Sequence, residues 1–189
     1  MQLTRTNLKK AGGRSIPAWF DIRGERGPHV TFETLTRNSD EEGMLRSRDF
    51  FLSLVRDEVD KHAVPASQVI MGGFSQGSVM SLLTGLTADV QLGGIFCLCG
   101  YLPLADAVRE SGRGGGGGGG AGKFPHVKEG TGMEVLMVNG EKDPIMNLEW
   151  VGKSRNIVKE LGYHVDSSII PYVEIPPPLG HACAVRATC

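Results

Sequence analysis

Apolar residues fall into two kinds of segment along this chain. The first kind is short and apolar throughout: residues 68–72, 94–99 and 134–138, with a further extended stretch from 164 to about 170. The second kind is longer and periodic. Across residues 40–62, Leu45, Phe51, Leu54, Val55 and Val59 recur at roughly helical spacing, with Ser39 and Glu42 set as a capping box and Pro65 as the stop. From Gln76 onward, Val79, Met80, Leu82 and Leu83 give a second apolar helix face. Residues 147–161 give a third through Trp150, Val151, Ile157, Val158 and Leu161, closed by Gly162 in C-cap position. Strands without polar alternation, separated by helices, predict a parallel sheet in an α/β domain. Residues 15–22, SIPAWFDI, read as a short irregular segment.

Composition adjusts this picture at one place. The 189 residues, 40% of them hydrophobic, suit one domain with a real core, spanning residues 1–189. Glycine is in excess, with 27 residues, but nine of them are Gly112, Gly122 and the unbroken run 114–120. Residues 111–132 bury too little to offset their ordering entropy and are expected to form a disordered surface loop inserted in the domain. Residues 117–123 imitate a phosphate loop, yet Phe124 stands where the Mg²⁺-holding hydroxyl belongs, so no nucleotide site is expected.

A net charge of −1 excludes binding to nucleic acid through a basic face. No stretch reaches the roughly 20 apolar residues of a membrane span, and the opening MQLTRTNLKKAGGRS has no apolar signal core, so an intracellular protein is expected. Cys97 and Cys99 share one strand face, and no histidine or cysteine lies at zinc-ligand spacing from them. They are expected to be buried thiols, and neither metal nor cofactor is expected.

The sharpest chemistry lies at Gly73-Phe74-Ser75-Gln76-Gly77. A strand entering and a helix leaving a G-x-S-x-G turn make a nucleophile elbow. Small residues two before and two after the serine let strand and helix approach, and the N–H of Gln76 can face a developing oxyanion. A serine hydroxyl needs a base, and the base an orienting carboxylate. Asp143 follows the strand at 134–138; Glu141 competes, although Pro144 stiffens the turn in favour of Asp143. His181 follows both Ser75 and the acid, the chain order of α/β hydrolases. His29 precedes the serine, His62 ends a helix, His126 lies beside the glycine run, and His164 opens a strand.

GGFSQGS after QVI, SIPAWFDI upstream, YLPL, NGEKDPI and LGH together resemble the acyl-protein thioesterases, of the phospholipase/carboxylesterase family of α/β hydrolases, in a fungal-type form. The resemblance covers roughly residues 15–185. It implies a mostly parallel sheet flanked by helices. It also implies a cofactor-free hydrolase of the cytoplasm, and of the nucleus besides, that removes palmitate from protein cysteines. Ser75 is then the nucleophile, Asp143 the acid, His181 the base and Gln76 one oxyanion donor. Trp19 and Phe20 carry two readings of equal weight, the lining of an acyl groove and plain core packing. Partners are S-acylated proteins or lipid esters as substrates, without nucleic acid and without stable membrane insertion.

This sequence also departs from the family pattern. No HGxGD-type loop, which carries the second oxyanion donor, precedes residue 15, and only eight residues follow His181. The expectation is a chain truncated at both ends, with the first strands of the sheet missing. Losing one such donor costs about 10²–10³ in turnover. It would also leave the nucleophile strand as an open edge, which a dimer could close. The alternatives are a general carboxylesterase or lysophospholipase, and a catalytically impaired lipid-binding remnant.

Overall fold

The computed structural model describes residues 5–7, 15–23, 29–113, 123–124, 127 and 132–171. Its centre is a parallel sheet of β3 (Ile70–Phe74), β4 (Gly94–Leu98), β5 (Glu134–Gly140) and β6 (His164–Ile170), in the order β3-β4-β5-β6. The alternation of apolar runs with helices thus gives the expected architecture. Among the described residues β3 is an outer strand of this sheet. Two short strands, β1 (Arg5–Asn7) and β2 (Ser15–Pro17), pair antiparallel in a separate sheet. The start of the segment read as irregular is therefore strand.

Each step from β3 to β6 moves one strand in the same direction. Right-handed crossovers then set the connecting helices on one face. α3 (Gln76–Leu86) packs on β3 and β4, and α5 (Leu148–Glu160) on β5 and β6. The register stacks Met71, Ile95, Val135 and Val165 in one buried row, and Cys97 with Met137 in the next. The opposite face is barer. There Phe74, Phe96, Leu98 and Val138 are half-buried, and Ile70, Leu136 and Ile170 are exposed.

α2 (Glu41–His62) lies on α3 and buries Met44, Ser47, Phe51, Leu52 and Val55, while Leu54 faces outward. Its cap corrects the sequence reading. Asp40, not Ser39, caps the helix, accepting from the Gly43 N–H. The same carboxylate also accepts from the Asp21 N–H at 2.8 Å and pairs with Arg23 at 2.7 Å. Ser39 instead donates to the Leu35 carbonyl at the end of α1 (Phe32–Arg37), and Glu42 pairs with Arg46.

The stop of α2 is also local. Ala63 adopts φ 54°, and the Val64 N–H reaches back to the Glu58 carbonyl, two residues before Pro65. A left-handed alanine is strained where glycine is not. Ala63→Gly is therefore expected to stabilise the fold by about 0.5–1 kcal/mol, read as a raised urea midpoint with unchanged slope.

Two further boundaries move. The segment 66–68 is a 3₁₀ turn, so β3 starts at Ile70 and continues through Phe74. α4 (Ala105–Arg113) takes in the first residues of the stretch read as loop. Beyond the glycine run, Phe124 and Val127 are buried, and the Phe124 N–H bonds to Ser111 Oγ at 3.0 Å. The run itself, 114–120, lies outside the described residues.

Candidate active site

Ser75 sits between β3 and α3 with φ 51° and ψ −118°, a backbone state that few side chains adopt. Its N–H still donates to the Leu98 carbonyl at 2.8 Å, so β3 holds it, while its carbonyl accepts from Ser78 and Val79 in the first turn of α3. The chain reverses sharply enough that a Cβ on Gly73 would lie 2.4 Å from the Gly77 carbonyl carbon. That approach explains the first glycine of the pentapeptide. Gln76 and Gly77 open the helix, and N–H groups at that position have no intrahelical carbonyl to bond. The positive end of the helix dipole therefore faces the same space as the serine.

Asp143 lies in the turn after β5. Its Oδ1 accepts from the N–H groups of Ile145 and Met146, both at 2.9 Å, which fixes the half-buried carboxylate. Glu141, the competing acid, is exposed. Because the strands are parallel, the turns after β3 and β5 open at the same sheet edge, separated only by β4.

Cys99 follows β4 at that edge with φ 55°. Burial pushes its thiol above the ordinary value, and the nearby Asp143 charge adds to the shift. Burial pushes Cys97, two residues earlier in β4, up to about 12. Both are neutral thiols at physiological pH. Among the described residues no three His, Cys, Asp or Glu side chains gather as a metal site, and no helix is long and apolar enough to cross a membrane.

His181 lies outside the described residues. His164 pairs with Glu134, and both are the first residues of their strands, at the opposite sheet edge from Ser75. Trp19 is half-buried, its ring 4.6 Å from Phe51 and 6.3 Å from Phe50. Phe20 is only 2% exposed and belongs to the core, so Trp19 alone of the pair keeps appreciable surface.

One contact beside Ser75 has no signal in the pentapeptide. The Gln76 side chain accepts from the Trp19 N–H at 2.9 Å and donates to the Phe20 carbonyl at 2.7 Å. Residues 57 positions apart are thereby joined, and no spacing rule anticipates it.

Comparison with known proteins decides the lineage. The phospholipase/carboxylesterase family model matches residues 4–114. The chain belongs to this family. Similar curated proteins include acyl-protein thioesterase 1 of Emericella nidulans, 35% identical over 79% of this chain and 57% of that protein. The thioesterase 1 of Neurospora crassa is 34% identical over 84% of this chain and 58% of its own length. The chain thus spans less than two thirds of these relatives.

Among solved structures, Arabidopsis thaliana SOBER1 L63A superposes with a TM-score of 0.71 at 19% identity, over 90% of this chain and 71% of that one. Zea mays acyl-protein thioesterase 2 gives a TM-score of 0.62 at 20% identity, over 91% and 71%. The fold of this family member is that of the α/β hydrolases.

Proposed function

We propose that this phospholipase/carboxylesterase family member is a serine hydrolase of long-chain acyl thioesters on protein cysteines. The observation that carries the reading is the left-handed Ser75 at a strand-to-helix turn too tight for a side chain at Gly73. Ser75 Oγ attacks the thioester carbonyl carbon while His181 takes its proton. The Gln76 N–H bonds to the oxyanion. The C–S bond then breaks, His181 returns the proton to the departing thiolate, and water repeats the sequence on the acyl-serine. Asp143 orients His181 through the oxygen that its own turn does not use.

The topology supports this assignment. Three strand spacings separate β6 from β3, about 14 Å. The ten residues that follow Pro171, ending at His181, can span about 33 Å when extended, enough to bring His181 from the end of β6 to Ser75. A palmitoyl-cysteine peptide is expected to exceed a lysophospholipid in kcat/KM by about tenfold or more. The thioester offers the better leaving group and needs less acid assistance. The family's own description favours a second reading, a general carboxylesterase or lysophospholipase. A lysophospholipid or short-chain ester turned over faster than the thioester would establish that reading instead.

A further inference from the structure

We infer that the Gln76 side chain is a positioning residue that fixes Trp19 as one wall of the acyl site, and so sets the preference for long chains; this rests on the hydrolase reading above. Residues 18–22 form a strap that crosses the start of α3. Gln76 grips it at two backbone atoms, the Trp19 N–H and the Phe20 carbonyl. Ser47 donates to the Trp19 carbonyl, and Asp40 accepts from the Asp21 N–H. From behind, Phe50 and Phe51 of α2 support the indole.

The chemistry of the grip is selective. One end of the side chain must accept and the other must donate, which only a carboxamide does at neutral pH. Glutamate keeps the acceptor but sets an oxygen against the Phe20 carbonyl. Methionine has the length and neither function. Residue 76 therefore has two tasks: its backbone N–H faces the reacting carbonyl, and its side chain holds the apolar wall beside it. Because the two tasks share one residue at the start of α3, the wall is registered to the nucleophile rather than to a mobile loop.

The test compares Gln76→Met and Gln76→Glu with the wild type on palmitoyl and butyryl thioesters of one peptide. The ratio of kcat/KM for palmitoyl over butyryl is expected to fall about tenfold in Gln76→Met, the effect of two lost hydrogen bonds, and at least as far in Gln76→Glu, whose carboxylate repels the Phe20 carbonyl. The loss should appear mainly in KM for the long chain. Equal losses on both substrates, or an unchanged ratio, would overturn the inference.

A second readout does not depend on turnover. Trp150, the other tryptophan, is fully buried, so acrylamide quenching reports Trp19. Quenching should rise in both variants, and a non-hydrolysable palmitoyl thioether should protect Trp19 in the wild type. No protection would refute the wall assignment. Protection without any hydrolysis by the wild type would instead refute the catalytic reading and leave the wall standing.

Discussion

Ser75→Ala is expected to lower thioester turnover by about 10⁴-fold or more while leaving the fold intact. Loss of the nucleophile of an acyl-transfer triad removes the covalent route altogether, and the groups that remain act only through binding and the oxyanion site. Alanine has no hydroxyl, but it meets the same backbone demand, φ 51°, at an equal cost to serine. Stability should therefore change little. Urea denaturation beside kinetics separates the two effects. A parallel loss of both would mean that Ser75 shapes the turn rather than the chemistry.

Gly73→Ala has the opposite signature, a loss of stability that brings loss of activity with it. The added Cβ would lie 2.4 Å from the Gly77 carbonyl carbon, 2.6 Å from its oxygen and 2.8 Å from the Ser78 nitrogen. All three are backbone atoms, so no rotamer change relieves the contact. Either β3 or the start of α3 must move, at an expected cost of about 3 kcal/mol or more. For a domain of this size that lowers Tm by roughly 6–12 °C. Gly152→Ala in α5 is the matched control. A Cβ there meets nothing within 4 Å, and alanine is the better helix former. Equal behaviour of the two variants would contradict the close approach on which the elbow depends.

How much of this was readable in the chain depends on where each requirement acts. The elbow was readable because its steric demand is local: a strained serine beside two close backbones writes glycine at 73. The parallel sheet was readable because β3, β4 and β5 carry apolar residues on both faces. The Gly162 stop of α5 was readable for a similar reason, since its φ of 84° favours glycine.

What escaped depends on distant partners. Asp40 outcompetes Ser39 as the cap of α2 because Asp21 and Arg23 converge on the same carboxylate. α4 escaped because its buried side is built from Ala105, Val108, Ser111 and Gly112, too small to give a strong apolar rhythm. Leu54 fits the helical period but points away from α3, because Met44, Phe51, Leu52 and Val55 define the packed side. The second use of Gln76 escaped because its partners come from the strap at Trp19 and Phe20. At the site, the turns that hold Ser75 and Asp143 were legible as strand ends. Their common edge became visible only once the order β3-β4-β5-β6 was known.

Covalent labelling distinguishes an activated Ser75 from an idle serine. The purified chain is treated with a fluorophosphonate and the adduct is located by tandem mass spectrometry. One modified serine is expected, Ser75, with no adduct in Ser75→Ala and labelling slowed by at least about 10²-fold in His181→Ala. An adduct on another residue, or none on a chain that unfolds cooperatively in urea, would contradict an activated Ser75.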